Sequence, residues 1–200
     1  IGTIAKNVKA EDAAAYSFYP TKNLGAIGDA GAVATNDPAV AERVMRLRQY
    51  GWDDRRRITI PGGRNSRMDP LQAAVLTARL PWLESRNERR RMIANRYRQA
   101  VAGSAIRIHG DERETVAHHA VALTDRRDDL AAFLGERGIT VAVHYPYLLG
   151  EMPGLRLDAG PVPVAERFRD SMLSLPCFPE LTDDEVDRVV AALTDWIDHG

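Results

Sequence analysis

A lysine just past an apolar strand is the residue of this chain best placed for covalent chemistry. In Ser17-Phe18-Tyr19-Pro20-Thr21-Lys22-Asn23-Leu24-Gly25, Lys22 follows a small-then-aromatic run and precedes a glycine-rich stretch. Partial desolvation there disfavours the ammonium form and makes the amine a nucleophile toward a carbonyl. Ser17, five residues earlier, could hydrogen-bond an anionic group beside that amine. Of 27 basic residues only Lys6, Lys9 and Lys22 are lysines, so a lysine-dependent reaction has few candidates. Lys6 and Lys9 sit in a short segment whose composition differs from everything downstream. Spacing alone also suits, and indeed favours, an ordinary surface lysine at a strand end.

Other chemistry-bearing groups read more plainly. The stretch from Arg86 to Arg98 holds six arginines, but Glu84 and Glu88 interrupt it and no aromatic ladder accompanies it. A solvated helix face is therefore expected over a nucleic-acid stripe. His118 and His119 are adjacent, and a strand would turn them to opposite faces, which argues against shared metal ligation. His144 taken alone is a strand-end histidine. Cys177, between Pro176 and Phe178, reads as a packed small hydrophobe. Trp52 suits an interface or a substrate lid, and Asp183 and Asp184 read as helix-capping acids.

The elements that must carry these residues follow from pattern. Residues 13–19 read as a short buried strand ending at Pro20, then a loop rich in glycine, then a strand at 31–35. Asn36-Asp37-Pro38 opens a helix reaching about Gln49. Residues 50–67 are polar and punctuated by Gly and Pro, which predicts a long surface loop. Asp69-Pro70 opens a second helix with Leu71, Ala74, Val75, Ala78 and Leu80 on its apolar face. It is expected to kink at Pro81 and continue through Leu83, Met92, Ile93, Tyr97 and Val101. Beyond Gly103 come a strand at 118–124, a helix at 126–138 capped by Gly138, a strand at 139–146 and a loop at 147–163. A helix at 164–172, a short strand at 174–176 and a final helix capped by Thr182 complete a small α/β domain.

Composition sets the outer limits. Apolar residues make up 44% and charged residues 28%, the balance of a soluble globular chain and not of a disordered one. A net charge of −1 gives no global field for nucleic acid or anionic lipid. No apolar run reaches the roughly 18 residues of a membrane span. No secretory signal is visible at the start, and a lone cysteine forms neither an internal disulfide nor a Cys-rich zinc site. The expected compartment is the cytoplasm.

The residues themselves say more than their spacing. SFYPTKNLGAIGDAGAV closely resembles the Schiff-base lysine segment of the DegT/DnrJ/EryC1/StrS sugar aminotransferases. The likeness continues in order through GRNSRMDPLQAAVLTARLPWL, NERRRMIANRY, HHAVAL, GITVAVHYP and LSLPCFPELTDDEVDRVVAAL, covering nearly the whole chain from about residue 12. Related sugar dehydratases carry histidine at the lysine position, so the resemblance implies transamination. It implies pyridoxal 5'-phosphate as cofactor, with Lys22 bonded to it and moving protons, and Ser17 donating to its phosphate. Asn65, in GRNSR, would reach the phosphate in the neighbouring subunit, making a homodimer part of the site. Arg67 would order that loop. His144 and Tyr145, with Tyr19 as a neighbour, would line the sugar-nucleotide pocket. Asp29 stands where many relatives have glutamate.

The implied reaction moves an amino group from an amino acid, with glutamate as the expected donor, to a keto group on a nucleotide-linked deoxysugar, a dTDP-3-keto-6-deoxyhexose by the wording of the lysine segment. The implied fold is α/β, the C-terminal part of a type I aspartate aminotransferase-like transferase. Residues 1–68 would belong to the large cofactor-binding domain, 69–102 to a linking long helix and 103–200 to the small domain. Family members are about twice this length, with the lysine near their middle. No residue here takes the roles of the carboxylate at the pyridine nitrogen, the aromatic residue stacked on the ring, or the glycine/threonine turn at the phosphate. A non-catalytic module that dimerises or binds a sugar nucleotide therefore stands beside the enzyme reading.

Overall fold

The computed structural model describes residues 13–110, 115–155 and 160–199; Lys6 and Lys9 lie outside them. The chain divides into two compact units, residues 1–83 and 84–200.

In the first unit, β1 (Ala13–Ser17) and β2 (Gly31–Thr35) pair antiparallel, with Ala13 opposite Thr35 and Ser17 opposite Gly31. The pair closes the neck of the glycine-rich loop. β1 is not the buried strand its composition suggests: its residues alternate exposed and half-buried, in a described sheet of only two strands. Helix α1 (Pro38–Leu47) starts as the sequence indicates, with the Asp37 carboxylate accepting the Ala39 amide at 2.7 Å and proline in its first turn. The 50–67 loop folds back on the end of α1. Backbone bonds run from Arg64 to Leu47 and from Ser66 to Arg48, both at 3.0 Å. Inside this loop, the Arg57 amide and guanidinium hold the Asp53 carboxyl below the usual carboxylate range.

Helix α2 (Pro70–Arg79) ends in a 3-10 turn at Leu80–Trp82 before α3 (Leu83–Ala100) begins. The break falls at the expected proline. The apolar face read from composition is not the packed one: Leu71 and Leu80 are exposed, and Leu76 is the residue of α2 that is buried.

The second unit builds one core from α3, α4 (Arg127–Glu136), α6 (Asp183–His199) and a three-stranded sheet. The order is β3 (Arg107–Ile108), β4 (Ala120–Leu123), β5 (Met172–Leu175), all antiparallel. Ile108, Ala122 and Leu173 lie in one register row and, with Ala120 and Leu175, form the core face. Period-two alternation turns Val121 and Ser174, themselves paired, to the other face. Helix α5 (Pro163–Ser171) leads directly into β5. Residues 139–146 do not form the expected strand; the segment touches the sheet at a single bridge, Ala142 to Ser174.

Two helix ends are set by local chemistry. Gly138 takes φ +70°, which lets its own amide and that of Ile139 turn back to the Gly135 and Leu134 carbonyls. Thr182 and Glu185 cap α6 reciprocally: the Glu185 amide donates to Thr182 Oγ1 at 3.2 Å, and the Thr182 amide to Glu185 Oε2 at 2.8 Å.

The arginines of α3 are not simply solvated. Arg86 pairs with Glu180, Arg96 with Asp187, and Arg89 with Asp183 at 2.8 Å and the Leu181 carbonyl at 2.7 Å. Arg90 is buried and donates to the carbonyls of Cys177 and His118, while the Tyr97 hydroxyl donates to the Pro176 carbonyl at 2.9 Å. The helix is therefore a clamp on the segment 176–187, and only its outermost charges face water. Met92, expected in the apolar stripe, is exposed, and Asn87 and Arg90 take its place in the interior.

Arg90→Ala should cost about 2–3 kcal/mol in urea unfolding, because the buried Cys177 carbonyl and the part-buried His118 carbonyl lose a donor, whereas Arg86→Ala should stay within about 1 kcal/mol. Equal small losses would refute the clamp. Burial pushes the Cys177 thiol from 9.0 up to about 11 despite the opposing Arg90 charge. The unfolded chain then releases this proton first, so stability is whole below pH 9 and falls as pH rises toward about 11. In Cys177→Ala that fall should be shallower, leaving the contribution of Tyr97, whose hydroxyl burial also pushes upward.

Candidate active site

The loop from Phe18 to Ala30 starts and ends at the β1–β2 neck. The Phe18 amide donates to the Ala30 carbonyl and the Ala26 amide to the Phe18 carbonyl, both at 2.8 Å. Between them the Lys22 amide donates to the Tyr19 carbonyl at 2.8 Å, and the Tyr19 amide donates to Ser17 Oγ at 3.3 Å. These two bonds tie Ser17, Tyr19 and Lys22 into one turn. Lys22 is half-buried, Ser17 and Tyr19 are exposed, and Phe18, Leu24 and Ala26 point into a small core with Leu76. Gly25 is where the backbone doubles back most tightly: a Cβ there would collide with the Pro20 carbonyl oxygen.

Helix α2 fixes the far side of the loop. Gln72 Oε1 accepts the Ile27 amide at 2.9 Å, and Arg79 Nη1 donates to the Gly25 carbonyl at 2.6 Å. Gln72, Leu76 and Arg79 are spaced four and three, so one helix face presents an acceptor, an apolar plug and a donor. Sequence reasoning missed Gln72 and Arg79. The signal was the 72/76/79 stripe, which reads as unremarkable until it is opposed to a loop with unpaired backbone groups.

Asn65 sits elsewhere in the first unit. It bridges to Gln49, and its Oδ1 accepts from Arg67 Nε at 3.1 Å, so Arg67 acts on the asparagine itself. That bond uses the Asn65 side-chain oxygen and not its amide hydrogens, on a residue that is exposed.

His144 and Tyr145 belong to the second unit. His144 Nδ1 lies 2.9 Å from Ser174 Oγ, and its ring stacks on His119 with centroids 4.3 Å apart and planes at 20°. His118 and His119 are not on opposite faces: their rings approach to 4.1 Å, because both precede β4 and lie in a bend. Among the described residues no group of three or more His, Cys, Asp or Glu side chains is arranged to hold a metal ion. Nor is any described helix long and apolar enough to cross a membrane.

The sequence model of the DegT/DnrJ/EryC1/StrS aminotransferase family matches residues 3–194. The chain belongs to that family. It is 41% identical over 192 residues to a dTDP-3-amino-3,4,6-trideoxy-alpha-D-glucose transaminase of Streptomyces venezuelae, covering 93% of this chain and 50% of that protein. It is 40% identical over 188 residues to the erythromycin biosynthesis sensory transduction protein EryC1 of Saccharopolyspora erythraea, covering 91% and 51%. Among solved structures, S. venezuelae DesV in complex with a ketimine intermediate superposes with a TM-score of 0.87 at 40% identity, over 94% of this chain and 52% of DesV. Bacillus subtilis NtdA with bound cofactor PMP gives 0.85 at 28% identity, over 94% and 46%. The chain thus spans about half the length of the curated relatives it matches. The α/β assignment stands with the family fold, although both described sheets of this chain are antiparallel.

Gln72→Ala should speed exchange of the Ile27 amide about fivefold, the worth of one ordinary hydrogen bond, and leave the amides of α1 unchanged. Leu76→Ala should cost about 2–3 kcal/mol by opening the small core. An Ile27 amide equally protected in Gln72→Ala would show that the helix does not hold the loop.

Proposed function

We propose that this chain is the lysine-bearing C-terminal half of a pyridoxal-phosphate-dependent sugar aminotransferase. In this reading residues 1–68 are part of the large cofactor-binding domain, 69–102 the linking helical segment and 103–200 the small domain. The observation that carries the proposal is Lys22, half-buried on a turn that is built from Ser17 and Tyr19 and braced by Gln72 and Arg79. A free surface lysine at a strand end would need no such bracing. The names of the relatives support a dTDP-linked 3-keto-6-deoxyhexose as amino acceptor. Glutamate is the amino donor we assign, and the cytoplasm the compartment.

The residues present fit the cofactor. Ser17 Oγ accepts one amide and keeps its own hydrogen to donate to a phosphate oxygen, and Asn65 keeps its amide hydrogens for the same purpose. The tight backbone at Gly25 and the Lys22 amide bond to the Tyr19 carbonyl fix the turn that carries Lys22. When bound, pyridoxal phosphate supplies the electron-withdrawing ring that stabilises negative charge at the amine-bearing carbon. Lys22 Nζ would hold the group and would carry the proton to and from that carbon. Ser17 would hold the phosphate through its hydroxyl hydrogen. Asn65 reaches the phosphate held by a second copy, which makes the active unit a homodimer. His144, Tyr145 and Tyr19 contact the nucleotide sugar.

Borohydride reduction of the protein with pyridoxal phosphate should leave a cofactor adduct on Lys22 by peptide mass, and none in Lys22→Ala. Asn65→Ala should weaken cofactor retention about fivefold, as loss of one phosphate donor predicts. An adduct on no residue, with nucleotide-sugar binding intact, would replace this reading by that of a non-catalytic binding module.

A further inference from the structure

On the face of β5 turned away from the core, Ser174 is buried, 7% exposed, yet carries a hydroxyl. Its amide and carbonyl pair with the Ala142 carbonyl and amide at 2.7 and 3.1 Å, which pins the chain two residues before His144. Its Oγ then meets His144 Nδ1 at 2.9 Å. His119 covers one face of the His144 ring, and Tyr145 meets it edge-on with centroids 5.6 Å apart. Arg90 donates to the carbonyl of His118, the residue before His119.

The direction of the Ser174–His144 bond follows from satisfaction. Among the described residues, Nδ1 is the acceptor at hydrogen-bond distance from the Ser174 hydroxyl. If Nδ1 carried the hydrogen instead, the buried O–H would be left without an acceptor, a state disfavoured by roughly tenfold or more. We infer that Ser174 donates to Nδ1 and so fixes neutral His144 as the tautomer with its hydrogen on Nε2. His144 then offers an N–H donor to its ligand and not a lone pair. Ser174 is a positioning residue, with His119 limiting rotation of the ring. On the reading that this side of the second unit meets the nucleotide sugar, His144 recognises an acceptor oxygen of that substrate, a hydroxyl, keto or phosphate oxygen. It serves there neither as a general base nor as a metal ligand.

The test is nitrogen-15 NMR of the imidazoles at pH 8, where an ordinary imidazole is neutral. His144 in the wild-type protein should show a single tautomer with hydrogen on Nε2; Ser174→Ala should show a mixture, and Ser174→Thr, which keeps the hydroxyl, the wild-type pattern. A wild-type mixture, or hydrogen on Nδ1, overturns the assignment whatever the substrate is. In transamination by the full-length enzyme, Ser174→Ala should raise KM for the nucleotide sugar about fivefold with little change in kcat, and Ser174→Thr should restore it. The expected tautomer with an unchanged KM would overturn recognition by His144. The expected tautomer in a protein that does not transaminate would refute the proposed function and support the role of Ser174.

Discussion

The first unit depends on a helix face that completes a loop unable to complete itself. A glycine-rich segment gains freedom to turn sharply, as at Gly25, but it has few side chains with which to hold the turn and many backbone groups needing partners. Helix α2 supplies what the loop lacks, with a donor at Arg79, an acceptor at Gln72 and the Leu76 plug between them. The β1–β2 neck fixes the two ends. Lys22 inherits its position from these constraints and contributes little to them.

The second unit solves a related problem with charge. The segment 176–187 carries a cysteine, two prolines and a helix start, and its carbonyls turn inward toward α3. Buried carbonyls need donors, and guanidinium groups reach them from a helix surface where short side chains would not. Arg89 and Arg90 meet the Leu181 and Cys177 carbonyls, while Arg86 and Arg96 form exposed ion pairs worth far less. The same Arg90 steadies the His118 backbone, so the histidine cluster and the clamp share one anchor.

Much of this was legible in the residues. Asp37-Pro38, Pro81, Gly138 and Thr182 mark their boundaries because caps and ring constraints act within a few residues. The lysine segment was legible as a string, and the family match agrees with it. What escaped was decided by tertiary partners. Leu76 and not Leu71 is buried on α2, since the loop lies against that side of the helix. The arginine stretch reads as solvated because the acceptors of Arg89 and Arg90 are backbone carbonyls about 90 residues away in sequence, which no composition displays. His118 and His119 looked like opposite faces of a strand that begins only at Ala120.

These findings separate two parts of the proposed chemistry. Every described contact that shapes the Lys22 turn lies within residues 13–83, from the neck through Gln72 and Arg79, so the amine's placement is a local property of this stretch. The electronic work of a pyridine ring instead depends on groups at its nitrogen and on its faces, which none of these contacts supplies. The position of Lys22 can therefore be set by contacts that are independent of those that would tune a bound ring. Selection would act on the two separately: α2 and the loop must change together, because a larger side chain at Gly25 or a lost acceptor at Gln72 deforms the turn however well the ring is held.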